Sequence, residues 1–343
     1  MMNAPLKKRT SGSISRRSAE SGNFTQSRRG RIVFSTLRLC ARNIFALILY
    51  FSPLTASAQQ QKVVSCLEVF DIKTRRHTVL RQFPYIIEAP NWTRDGKWIV
   101  YNSQGKLFRI RANGKGEPQV INTGELTNCN NDHVLSSGNR LLAVSNHDQS
   151  DFQSRVYVLP LEGGVPRRVT PNGPSYLHGW SPDGTTLAYC AYRNNQWDIY
   201  TIPSEGGEET RLTTAAGLDD GPEYSPDGRH IWFNSSRTGE MQLWRMNADG
   251  SQQTQMTFDS RRNAWFPHVS PNGQWVVWLA YRRDDIAPDQ HLPNYLVELL
   301  MMPAEGGEHT VLTTLFGGQG TLNVNSWAPD SRRFCYVSYR LQP

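Results

Sequence analysis

Three histidines and three carboxylates are the side chains best placed to do chemistry. His133, His178 and His268, with Asp219, Asp220 and Glu223, are of the kinds that ligate a divalent metal or pass protons. They fall in polar runs that occupy matching places along the chain: Asn131-Asp132-His133, Tyr176-Leu177-His178, Asp219-Asp220-Gly221-Pro222-Glu223 and Trp265-Phe266-Pro267-His268. A fifth run over 319–325 adds Gln319 and Asn323. Three readings of these residues stand side by side. As a metal or acid/base site they would serve a metal-assisted lyase or hydrolase acting on an oligosaccharide. As a ligand mouth, Tyr176, Trp265 and Phe266 add aromatic faces suited to a sugar or a peptide. As structure alone, the same polar groups cap strand ends and bond neighbouring elements. No Gly-x-Ser-x-Gly elbow, His-Glu-x-x-His pair or phosphate-cradling loop accompanies them, and Gly317-Gly318-Gln319-Gly320 reads as a turn. No catalytic residue is therefore assigned, and no cofactor beyond a divalent metal at this site.

The elements that must position these residues are short strands. Each polar run leads into a hairpin signal such as Trp180-Ser181-Pro182-Asp183-Gly184, where Pro182 presets φ, Asp183 bonds nearby backbone and Gly184 accepts φ > 0. Related turns are marked by Gly96, Gly138, Gly228, Gly273 and Ser331, each followed by an apolar run. The successive intervals are 42, 46, 44, 45 and 58 residues. A period in the forties built of short strands is the signature of a β-propeller with one four-stranded blade per repeat. Five blades are complete. The sixth is divided: 67–72 and 77–80 read as outer strands, and 327–339 as an inner pair. The expected fold is all-β, a six-bladed propeller over 59–343 whose closing blade is shared by the N- and C-terminal strands. In such a ring the five polar runs converge on one mouth of the central channel. The longest interval holds a polar insertion at 282–294, read either as surface decoration or as a lid or partner-binding loop.

Charge and cysteines narrow the partners. The net charge of +7 comes from residues 1–58, where ten Lys or Arg face the single acid Glu20; the remainder carries 27 basic and 29 acidic residues, a net of −2. A folded part so close to neutral lacks the footprint of a nucleic-acid binder. The leader runs from basic residues through the apolar stretch 44–51 to Ala56-Ser57-Ala58, the order of a secretory signal peptide cleaved before Gln59. A retained signal anchor and a twin-arginine signal at Ser27-Arg28-Arg29 are the weaker alternatives. After cleavage no stable membrane span remains, and a periplasmic or secreted monomer is expected. Cys40 leaves with the leader. Cys66, Cys129, Cys190 and Cys335 make no disulfide framework; a Cys66–Cys335 bridge would lock the ring, but strand register sets Cys66 opposite a residue near Ser338.

Tyr224-Ser225-Pro226-Asp227-Gly228, Asp198-Ile199-Tyr200, Gly206-Gly207 and Arg211-Leu212-Thr213 together resemble the WD-like repeat of the TolB propeller family, across 63–343. That resemblance implies a periplasmic propeller that binds an envelope protein such as a peptidoglycan-associated lipoprotein and takes part in envelope transport or translocation. A glycan ligand is the second possibility. TolB carries an α/β domain ahead of its propeller, whereas here only 59–64 separate the leader from the first strand. Oligogalacturonate lyases use similar repeats with a His-bound metal, but the closely spaced His-x-His expected of them is absent. Peptidase propellers resembling these repeats need a following hydrolase domain.

Overall fold

The computed structural model describes residues 62–342; the leader, its cleavage site and Cys40 lie outside the described residues. Among the described residues twenty-three strands form six sheets arranged as a closed β-propeller. Blade 1 consists of Glu88–Trp92, Trp98–Ser103, Lys106–Arg111 and Gln119–Val120, and blades 2 to 5 repeat this order from Cys129, Ser175, Asp219 and Arg262. In blade 6, Arg333–Gln342 pairs antiparallel with Lys62–Asp71, which in turn pairs with Arg76–Phe83. The chain ends thus meet in one blade. Its innermost strand is reduced to a single bridge, Trp327 to Phe334, where the sequence suggests a full inner pair.

Both faces of every blade are covered, so second strands such as Trp98–Ser103 are apolar and buried along nearly their whole length. Among the described residues the buried apolar side chains fall into six clusters, one at each boundary between neighbouring blades. Tyr101 and Val337 pack across the closing joint, and Ile199 and Phe233 join blades 3 and 4. No helix among the described residues is long and apolar enough to cross a membrane.

The inner hairpins share one device. The side-chain oxygens of Thr93, Ser136, Ser181, Ser225 and Ser270 accept the N–H of the residue five positions on, at 2.9–3.0 Å. In four of these the hydroxyl donates to the turn residue Asp95, Asp183, Asp227 or Asn272, whose oxygen accepts a further backbone N–H. Gly184 closes its turn at φ +80°, where a side chain is disfavoured. A second device explains the Arg-Leu-Thr signal. The outer strands of blades 2, 3 and 4 have only two residues, and the buried hydroxyls of Thr170, Thr213 and Thr257 then accept the N–H of Val156, Ile199 and Leu243 at 2.9 Å.

In the closing blade Cys66 lies opposite Ser338 and Cys335 opposite Val69, so the two thiols face different neighbours. All four described cysteines are free and buried. Denatured, unreduced chain beginning after the leader is therefore expected to titrate four thiols; two or fewer would contradict this register. Ser181→Ala and Ser225→Ala should each lower stability by about 1–2 kcal/mol, since each leaves a backbone N–H without its partner and removes one of the bonds to the turn carboxylate. The two sites sit in different blades, so the double variant should lose close to the sum, measured by urea unfolding. Losses below about 0.3 kcal/mol would mean the relay is not stabilising.

Candidate functional site

Each inner strand of blades 1 to 5 carries a β-bulge at its mouth-side half. Bulges bend a strand and re-aim its side chains. In three blades the bulge holds a residue in the left-handed region before a proline: Ala89 at φ +53°, Gly221 at +63° and Phe266 at +55°. A Cβ on Gly221 would stand 2.6 Å from Asn234 Oδ1, so only glycine fits there.

The bulged strands enclose a cavity of ≈ 660 Å³ at the mouth. Of the residues singled out from sequence, Asp132, Tyr176, His178, Asp220 and Gln319 line it. Phe266 lines it too, its ring stacked on His178 at 5.5 Å between centroids. His178 Nε2 lies 3.3 Å from Asp220 Oδ1 and 3.9 Å from Asp132 Oδ1. Asn323 stands behind Asp132 and donates to its Oδ1 at 2.7 Å.

Burial works against a charged His178, but the carboxylates of Asp132 and Asp220 outweigh it and hold the imidazole above its ordinary value. Burial likewise raises Asp220, yet His178 and His291 bring it below the usual carboxylate value. For Asp132 burial wins: despite His178 and Asn323, its carboxyl is held high. His178 and Asp220 thus form a buried charge pair, with Asp132 the more readily protonated neighbour.

Below this group is a second cavity of ≈ 230 Å³, lined by Arg94, Glu223 and the turn prolines Pro182, Pro226 and Pro271. His178 borders both chambers. Glu223 meets His268 Nδ1 at 2.6 Å and accepts from the Val269 N–H and Asn325 Nδ2. His268 Nε2 faces the Leu322 carbonyl at 3.3 Å, so both its ring nitrogens serve as ties between segments.

His133, Asp219 and Trp265 line neither chamber. Each precedes or follows a cavity residue in its strand and points the other way, as strand alternation requires. His133 is fully buried with no partner on either nitrogen, and burial pushes it down to about 4. Asp219 pairs with Arg237 at 2.8 Å. Trp265 is packed in the core, edge-on to His291. The three histidines considered together for a metal-assisted reaction therefore stand in three separate environments. Among the described residues no three His, Cys, Asp or Glu side chains are disposed to hold a metal ion.

The structure adds residues not singled out from sequence. The insertion brings Asp289 and His291 to the cavity, with His291 Nε2 3.8 Å from Asp220 Oδ2, and it buries Ile286 in the core. It is more than surface decoration. Glu88 also lines the cavity, and Glu88-Ala89-Pro90-Asn91 holds the same repeat position as Asp220-Gly221-Pro222-Glu223, a signal that was available in the sequence.

A closed six-bladed ring with a polar, two-chambered channel defines the class: a β-propeller whose distinctive chemistry is gathered at one mouth. The family model of the TolB beta propeller domain matches residues 153–342, and the chain belongs to that family. It is 47% identical over 276 residues to an uncharacterized protein of Agrobacterium fabrum, covering 80% of this chain and 92% of that one. A solved structure from Agrobacterium tumefaciens, provisionally designated TolB, superposes with a TM-score of 0.78 at 46% identity, over 82% of this chain and 99% of that one. The Tol-Pal system protein TolB of Francisella tularensis is 26% identical over 259 residues, 75% of this chain; the chain spans 57% of that relative's length. TolB from Acinetobacter baumannii, 17% identical with a TM-score of 0.51 over 75% of this chain and 64% of that one, shares the fold.

The two buried histidines give opposite pH signatures. The stabilisation from charged His178 is complete below about pH 6.5 and is lost as pH rises through its raised folded value. Neutral His133 does not take up the proton that the unfolded chain binds below about pH 6.5, so it lowers stability from there toward pH 4. His178→Gln should accordingly cost more at about pH 6 than at about pH 9, and His133→Leu should cost less at about pH 5 than at about pH 7.5. Urea unfolding at each pH measures both; costs independent of pH would overturn these charge states.

Proposed function

We propose that this chain is a periplasmic or secreted binding propeller, without catalysis of its own, that docks an envelope protein on its mouth face. The observation that carries this reading is where large apolar side chains remain exposed. Ile86, Phe152, Tyr192, Phe258 and Leu292 all lie in or beside loops on the mouth side, Phe152 and Phe258 being 75% and 79% exposed. Of the other exposed large apolar side chains among the described residues, Val165, 88% exposed, lies on the opposite, hairpin-turn face, and Val79, Val120, Leu296 and Leu341 lie within strands. Single exposed apolar residues are ordinary; that five of the ten lie in or beside the loops of one face, against Val165 in a loop of the other, supports a protein-docking surface there. Kinship with a Tol-Pal system protein supports an envelope setting, as does Ala56-Ser57-Ala58 after an apolar stretch.

The reading is tested by placing a photo-crosslinking residue at Phe152, Leu292 or Val165 in the full chain within a producing bacterium. Protein adducts are expected from the first two positions and not from Val165. Adducts from Val165 alone, or no protein adduct together with a saccharide-dependent rise in Tm, would replace protein docking with another face or with a glycan ligand.

A further inference from the structure

We infer that the mouth cavity receives a basic side chain, a lysine ammonium or an arginine guanidinium, presented by the docked protein; this rests on the docking reading above. The cavity is lined by four carboxylates from separate parts of the chain: Asp132 and Asp220, which are buried, Glu88, which is half-buried, and Asp289, which is exposed. No lysine or arginine lines it. Buried carboxylates are ordinarily paired, because an ionised group removed from water is costly unless a counter-charge compensates it. Here compensation is incomplete. Asp220 has His178, and Asp132 has the amides of Asn323 and Asn130. The Glu88 side chain, on the cavity wall, makes no hydrogen bond or ion pair, and both burial and the charge of Asp132 raise its pKa. The vacant role is that of a cationic donor.

Aromatic rings point to the same ligand. Tyr192, exposed on the mouth face, packs on Trp197 at 5.2 Å; Trp197 meets Tyr176 at 5.8 Å, and Tyr176 meets His147 at 6.1 Å. Trp197, Tyr176 and His147 line the cavity, so the rings form a continuous path from the surface inward. Such faces suit the aliphatic stem of a lysine or arginine and attract its charged head. A cavity of ≈ 660 Å³ exceeds one side chain, which fits a polypeptide segment inserted with its basic residue leading.

The probe is a library of 12-residue peptides displayed on phage and panned against the full-length protein. Peptides retained by the wild type and lost on Phe152→Asp would be synthesised and their Kd values measured. They should share a lysine or arginine whose replacement by glutamine weakens binding about tenfold. Glu88→Gln and Asp289→Asn should each weaken it several-fold, while Glu117→Gln, outside the cavity, should leave it unchanged. Neither the Glu88 nor the Asp289 side chain holds a hydrogen bond in the fold, so unchanged Tm values are expected to accompany the loss. Mouth-bound peptides without a basic residue, or Kd values altered less than twofold by Glu88→Gln, would overturn the inference and leave protein docking standing. Failure to retain any peptide at the mouth, with no crosslink at Phe152, would overturn both.

Discussion

The structure depends on the pairing of Lys62–Asp71 with Arg333–Gln342, ten residue pairs that join the two ends of the described chain. An open array of these sheets would leave two unpaired strand edges and a boundary cluster without its second half. Closure removes both and fixes the circumference. With the circumference fixed, the inner strands of five blades have one place to converge, and the cavity exists only as long as they do. The closing blade contributes to the site through a defect of its own. Because its innermost strand is a single bridge, the turn Gln319–Thr321 occupies the space between blades 5 and 1. Gly320 sits so tightly there that a Cβ would come within 2.6 Å of Glu88 and 2.7 Å of the Tyr339 hydroxyl. That close approach sets Gln319 at the cavity wall.

Strand geometry alone would not make this site. A regular strand shows alternate residues to the channel, and two neighbours cannot both reach it. The bulges break that rule. Phe266 at φ +55° is the costly case, because a bulky residue in the left-handed region carries about 1–3 kcal/mol of strain. Its ring is 1% exposed, stacked on His178 and edge-on to His291, so packing offsets the strain and both histidines are held. The distorted backbone therefore lies where it orients the buried charge pair of His178 and Asp220.

Much of this could be read in advance, for a physical reason. Turn chemistry such as Ser181-Pro182-Asp183-Gly184 is local, and its recurrence counts the blades; closure follows from what each end lacks, and the pairing of Cys66 with Ser338 from register. The polar runs could be located by the same repeat. Which member of each run faces the channel could not. Asp132 rather than His133, Asp220 rather than Asp219, and Phe266 rather than Trp265 depend on the phase of alternation, which a bulge shifts. Nothing in the composition of Ala89 or Phe266 announces a left-handed backbone. Asp289 and His291 were further hidden because the insertion has no counterpart in the other repeats.

The same geometry explains why the two faces differ. At the hairpin-turn face the inner pairs of blades 1 to 5 are pinned by a side-chain hydroxyl and turn residues, so a change of length there would undo several bonds at once. At the mouth face the connections between second and third strands carry no such relay. Loop closure grows only slowly more costly with length, by about 0.6 kcal/mol per doubling. An insertion between Arg282 and Tyr295 can therefore be accommodated, provided it bonds its backbone to the fold and buries an apolar anchor. It does so through Ile286, the Asn263 amide on the Ile286 carbonyl, and the Tyr281 hydroxyl on the Leu292 carbonyl. Anchored at those points, the segment presents Asp289 and His291 to the cavity from outside the repeat. The scaffold's regularity thus concentrates variation at one mouth, where a partner can be distinguished without disturbing the ring.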